Sequence, residues 1–415
     1  MTQDTSAHRP RLRLLLGGYF LSASGSGAVF PFLAGYLRQV IGLSAAAVAA
    51  ALLLLGGCTL AGNLVAGHLV AHLGLRQCGA VGLLAQAAGY AVLGCPAGLP
   101  GAYGSVLMFG FGTGLFQSVL VPVINVLCEE HRRRRAFAAR YLCNNLGLGL
   151  GAVLGSMALD QATPQRFTIF YQIDAGTYLV FLVIFVLVVS GHTTRSGMHE
   201  PVAGYRSALR DRLLLRLAVV QILLVAAGYS QIQTVIPLLL QARLDLPVRL
   251  IGLAFVVNTF GVVVVQPVVL RLTRKRTDTS LLSLTGVVWG CAFLVGALSS
   301  VGGRLCIPAI MAFVVLFTVG ECLYGVSLQP LLVTVSPPGL LATYSSIVSS
   351  CWGLSAMAGP PVGVLMVTFA PTVVIWIVCA GAVGLAAQLS RRIQHGVPPT
   401  RLSSPPWATP YGGSR

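Results

Sequence analysis

Twelve apolar stretches, each near the length a helix needs to cross a bilayer, leave this chain little choice of fold. A spanning helix takes ~20 mainly apolar residues at 1.5 Å rise each and satisfies its backbone N–H and C=O groups internally. The stretches fall near residues 12–37, 44–70, 76–95, 99–128, 136–159 and 168–190, and again near 214–241, 248–272, 280–300, 305–334, 340–369 and 371–390. Composition agrees, because only 9% of the 415 residues are charged, whereas a soluble domain carries roughly 25%. The 48 glycines fit close packing of helix backbones in lipid.

The net charge of +17 would point to nucleic acid if it covered one soluble face. Here the arginines lie in short clusters between apolar runs, which excludes that partner. With twelve alternating spans, 22 of the 27 basic residues fall on one side, among them Arg9, Arg11, Arg13, Arg132 to Arg135, Arg140 and Arg274 to Arg276. Only Arg38, Arg166, Arg243, Arg249 and Arg304 fall on the other. The positive-inside rule then puts both termini in the cytoplasm of a cell with the chain in its inner membrane. The run 12–37 is too long for a signal-peptide core and reads as a retained first span. The ten cysteines stand singly, with no metal-ligand spacing, and read as small packing residues.

The halves repeat. Val29-Phe30-Pro31-Phe32-Leu33 matches Val235-Ile236-Pro237-Leu238-Leu239 at an offset of 206. Pro122 matches Pro330, and Gly151 to Gly155 matches Gly359 to Gly363, both at 208. An offset of six spans preserves orientation, so the halves are parallel repeats with a substrate site between them. The expected organisation is a cytoplasmic tail (1–11), a six-helix bundle (12–190), a cytoplasmic loop (191–213), a second bundle (214–390) and a disordered cytoplasmic tail (391–415).

Twelve spans as 6+6 with a basic central loop and glycine motifs in spans 5 and 11 resemble the major facilitator superfamily, and most closely its drug and metabolite exporters of high-GC, actinobacterial-like bacteria. The resemblance implies an all-α integral membrane fold of two pseudo-symmetric six-helix bundles. Its span 5 antiporter motif is matched by Gly147, Gly151 and Gly155, with Ala152 for the usual Pro and Ser156 for the last Gly. Span 11 keeps the Gly359-Pro360 pair and Gly363. Glycines at spacing four give a neighbouring helix a smooth face to move on. Of the loop motif between spans 2 and 3, Gly67, Gly74 and Arg76 stand, while Ala71 and His72 replace its Asp and Arg. The span 4 Arg that resembling antiporters tie to proton coupling is Val106 here.

A carboxylate ionised at midplane costs ~2.5–3.5 kcal/mol on insertion scales, so each such residue needs a reason. Glu321 lies 16 residues into its span, about 24 Å along the axis, and is the expected proton-coupling group. Asp174 is a second candidate, with a helix-end cap or a pairing with Arg166 as the structural alternative. The geometry that the resemblance implies puts a substrate cavity between spans 1, 4, 7 and 10. Its candidate residues are Tyr19, Ser24 and Phe30; Gln117 and Asn125; Tyr229, Gln231 and Gln233; Tyr324 and Gln329. Asn144, Asn145 and Asn258 are expected to line the path or to bond between helices. The Arg132–Arg135 run reads as a lipid anchor.

The expected function is proton-coupled efflux of small amphiphilic or apolar compounds, antibiotics or secondary metabolites, by a monomer without cofactor. The alternative is an importer or facilitator of a neutral solute. A polytopic enzyme is remote, because no catalytic constellation gathers at either face.

Overall fold

The computed structural model of the chain describes residues 8–95, 98–159, 164–189, 205–232, 239–240 and 248–394. Within them ten helices are long and apolar enough to cross a membrane. One of these, Ala45–Leu93, has 49 residues and would be about 74 Å long if straight, more than twice a bilayer core of ~30 Å. It folds back at Gly74, whose φ of 83° suits glycine alone, into α2 (45–73) and α3 (75–93). A further helix is Arg133–Leu159. Its 27 residues make about 40 Å of helix, long enough to span.

The elements are α1 (His8–Val29, continuing through irregular turns to Val40), α2 and α3, α4 (Gly98–Leu127), α5 (Arg133–Leu159) and α6 (Pro164–Val188). In the second half they are α7 (Arg212–Leu224, extended by a π-turn to Tyr229), α8 (Val248–Leu272), α9 (Asp278–Ala297), α10 (Cys306–Val335), α11 (Leu341–Phe369) and α12 (Thr372–Gln394). These follow the apolar stretches closely. Of the expected central loop only 205–213 is described, where a one-turn helix Tyr205–Ala208 precedes α7. The tail beyond Gln394 and the Gln233 and Pro237 positions lie outside the described residues.

Large apolar side chains such as Leu187 (75%), Leu272 (75%) and Phe369 (81%) stand open on the outside. Such exposure suits a hydrocarbon surrounding, not water. The inside is packed with aromatics. Trp289 stacks on Phe317 at 4.6 Å, and its ring nitrogen donates to the Phe317 carbonyl at 2.9 Å. Such pairs add ~0.5–1.5 kcal/mol beyond burial.

Helices α1, α5 and α6 pack together, as do α2, α3 and α4. In the second half α9 packs on α10 and α12, and α8 on α10. The two halves meet where α11 lies on α2 and α4, and where α5 lies on α8 and α10. The repeat is visible in the contacts. A Cβ at Gly151 would run into the Ser24 carbonyl oxygen of α1 and stand 2.8 Å from the Ala28 nitrogen. A Cβ at Gly359 would stand 2.7 Å from the Ser230 Cβ, in the continuation of α7. Thus α5 sits on α1 as α11 sits on α7. Gly147 and Gly155 continue the smooth face, against Phe20 and Ala28, and Gly363 is buried on the matching helix.

Hydrogen bonds join first-half helices to the second half between midplane and the end bearing Arg132–Arg135, the basic end. Asn63 Nδ2 donates to the Ser349 carbonyl at 3.3 Å, and Ser346 Oγ donates to the Asn63 carbonyl. Tyr205 bridges the Leu64 carbonyl, the Gly67 amide and Ser346. Arg134 pairs with Asp278 and donates to the Thr273 and Arg276 carbonyls at 3.0 and 2.9 Å. One residue of the expected lipid anchor is therefore a strut between halves.

Candidate functional site

A buried carboxylate marks the seam between the halves. Glu321 is 3% exposed, midway along α10, where Gly320 and Gly325 let rings close in from both sides. The Trp289 ring lies against Gly320 and the Tyr141 ring against Gly325. Tyr141 Oη donates to Glu321 Oε1 at 2.7 Å, and Asn258 Nδ2 donates to Oε2 at 2.8 Å. Asn258 is held in place by Thr318 Oγ1 at 3.0 Å. Tyr229, from the end of α7, adjoins both Glu321 and Tyr141. One carboxyl group thus joins α5, α7, α8 and α10. Hydrogen bonds to a charged acceptor are each worth ~1.5–3 kcal/mol, so this cluster responds strongly to gain or loss of one proton.

Other sequence candidates fall into three groups. Tyr324, one turn after Glu321, donates to Gln221 Oε1 at 2.9 Å, and Tyr19 donates to Asn144 Oδ1 at 2.8 Å. Both remain along the seam. Gln117, Asn125 and Gln329 are half-buried, and Asn125 Oδ1 and Gln329 Oε1 are buried without a hydrogen-bond partner. Phe30 is 48% exposed, with its ring 6.2 Å from that of Phe109.

The second group bonds between or along helices. Ser24 Oγ returns to its own helix at the Phe20 carbonyl (2.9 Å), and Gln231 Nε2 donates to the Gly359 carbonyl on α11 at 3.4 Å. Asn145 likewise turns to the Tyr141 carbonyl. Arg76 donates to the Val186 carbonyl at 3.1 Å, fixing α3 to α6. Val106 is 1% exposed and packs as core where resembling antiporters hold their Arg.

Asp174 stands apart from the seam. It is 1% exposed, three turns inside α6, so it neither caps the helix nor pairs with Arg166. It accepts instead from Thr177 Oγ1 at 3.0 Å and lies 3.5 Å from Ser26 Oγ, which also meets Tyr178 and Tyr90. This network binds α1, α3 and α6 within the first half.

Sequence reasoning missed Tyr141, Arg140, Asn63 and Arg134. The signal available for the first two was their spacing with Asn144 and Asn145, which puts four polar residues within about a turn and a half of one helix. No group of three or more metal-ligating side chains occurs among the described residues.

Comparison with known proteins places this architecture. A family model described as Major Facilitator Superfamily matches residues 15–360. The MFS-type transporter YttB of Bacillus subtilis (strain 168), itself uncharacterized, is 24% identical over 358 residues, covering 86% of this chain and 88% of that protein. A bacterial homologue of the iron transporter ferroportin, in an outward-facing state, superimposes with a TM-score of 0.76 at 17% identity, over 93% of this chain and 99% of the other. The human organic anion transporter MFSD10 (TETRAN) gives 0.73 at 17% identity, over 92% and 99%. At such identities the structural likeness concerns the fold alone.

Proposed function

Because the chain belongs to the major facilitator superfamily, and is therefore a multi-pass membrane transporter rather than an enzyme, we propose that it is a proton-coupled exporter of small amphiphilic or apolar compounds. The observation that carries this reading is Glu321, the carboxyl group buried at the seam and hydrogen-bonded to Tyr141 across it. Binding a proton there changes what Tyr141 and Asn258 hold, and so changes the tie between the halves.

In this reading the bundles 12–190 and 214–390 are the rocking bodies, and 191–213 connects them in the cytoplasm. The arginine distribution supports taking the basic end as the cytoplasmic face of the inner membrane. The ties at Asn63–Ser349, Tyr205–Ser346 and Arg134–Asp278 then suit a state sealed toward the cytoplasm. Glycine faces at Gly151 and Gly359 give α1 and α7 the close, side-chain-free contact that sliding needs. Aromatic groups along the seam, Tyr19, Tyr229 and Tyr324, suit ligands with an apolar body.

One observation favours a second reading. Val106 and Ala71 stand where resembling antiporters carry charge, which fits an uncoupled facilitator. Everted vesicles separate the two. With a compound panel offered outside and lumenal pH followed, the exporter consumes an acid-inside gradient as substrate enters. Movement of substrate only down its own gradient, with lumenal pH unchanged, identifies a facilitator.

A further inference from the structure

Helix α5 begins at Arg133, so Arg140 lies about two turns inside it, away from the basic mouth. Its guanidinium carbon stands 5.8 Å from the centre of the Tyr19 ring on α1. Tyr324 on α10, across the seam, lies within electrostatic reach of this guanidinium. Arg140 Nε is buried without a hydrogen-bond partner although the side chain as a whole is part-buried, and among the described residues no carboxylate forms an ion pair with it. Glu321, one turn before Tyr324, turns its two oxygens to Tyr141 and Asn258 instead. Arginine does not shed its proton in proteins, so the group cannot relieve itself by becoming neutral. A cation held two turns inside a membrane helix without a counter-charge is costly, and the Tyr19 ring face offsets only part of that cost.

We infer that Arg140 is the anion-binding residue of the transport site, and that the solute carries an acidic group, a carboxylate or one of like geometry, beside an apolar or aromatic body resting on Tyr19 and Tyr324. This rests on the transport reading and narrows its substrates from amphiphiles in general to anionic ones. The planar guanidinium fork matches a carboxylate in two parallel hydrogen bonds, which a neutral amide cannot reproduce.

The test is equilibrium binding to the full chain in nanodiscs of phosphatidylcholine alone, so that no anionic lipid competes. Radiolabelled 2-naphthoate is compared with its neutral counterpart 2-naphthamide. The wild-type chain is expected to hold the acid about tenfold or more tighter than the amide. Arg140→Gln is expected to lose that preference with amide affinity unchanged, and Arg140→Lys to keep part of it. Absence of acid preference in the wild type, binding of neither probe included, overturns the inference, as does a folded Arg140→Gln chain that retains the preference. The wild-type comparison needs no variant, so a chain that fails to fold does not shield the claim. No gradient is applied, so the result is separate from proton coupling: the exporter reading fails on absent proton flux, this one on absent acid preference.

Discussion

Tyr141 Oη and Glu321 Oε1 stand 2.7 Å apart, and through this contact α5 of the first half is hydrogen-bonded to α10 of the second. A carboxylate that only braced its own bundle would find its partners there. Glu321 has Asn258 on α8 and Tyr229 at the end of α7 in its own half, and Tyr141 across the seam. In the proposed mechanism, a proton gained or lost at this group therefore acts on the contact between the two halves.

Glu321→Gln keeps the shape but turns one of the two accepting oxygens into a donor, so it resembles the protonated acid and cannot exchange a proton. The expected result is substrate movement down its own gradient with substrate-driven proton flux gone, read from lumenal pH in everted vesicles. Tyr141→Phe removes one donor worth ~1.5–3 kcal/mol, so active transport should fall roughly tenfold or more. Wild-type rates in Tyr141→Phe would remove the contact from the mechanism.

Gly151 and Gly17 make a matched pair. A side chain at Gly151 collides with the α1 backbone at Ser24 and Ala28, whereas a Cβ at Gly17 meets nothing within 4 Å. Gly151→Ala should cost about 1–3 kcal/mol and lower the unfolding temperature, with transport impaired. Gly17→Ala should leave both within error. Equal thermal stability of the two variants would contradict the close α1–α5 contact.

Arg134 and Asp278 hold the basic end together, and each side chain is only about a fifth exposed (21% and 19%). Arg134→Ala also releases the Thr273 and Arg276 carbonyls. Losing these charge-assisted bonds should bias the equilibrium by about 1–3 kcal/mol toward opening at that end. A cysteine placed at Ser349 should then label faster with a charged maleimide in Arg134→Ala, and the swap Arg134→Asp with Asp278→Arg should restore part of the protection. Unaltered labelling in the single variant would show the pair to be a surface contact only.

The spans were legible because a bilayer leaves a long one-dimensional imprint, a run of apolar residues of fixed length ended by charge. The Gly74 break between α2 and α3 was legible for the same reason, since one run was too long for one crossing. Glu321 could be singled out because a carboxylate amid apolar residues needs an explanation. Its partners could not, because Tyr141 and Asn258 come from helices 180 and 63 positions away and no local pattern joins them. Arg140 was grouped with the loop arginines because the run Arg132–Arg135 hides where α5 begins. Asp174 invited a pairing with Arg166, yet α6 starts at Pro164 and carries it inward to Ser26 and Thr177. Of Tyr229, Gln231 and Gln233, Gln231 turns its Nε2 to the Gly359 carbonyl and leaves its Oε1 buried without a partner, a pairing with α11 that no local pattern announces.

The central claim, that protonation of Glu321 sets the relation of the two halves, is tested most directly by the distance between them. Spin labels at exposed positions on the basic ends of the two halves, such as His68 in α2 and Lys275 just after α8, report that distance in nanodiscs by pulsed electron resonance at pH 5.5 and pH 8. The expected result is a distance distribution that shifts with pH in the wild-type background and does not shift in Glu321→Gln. A wild-type distribution indifferent to pH, or an equal shift in Glu321→Gln, would contradict it.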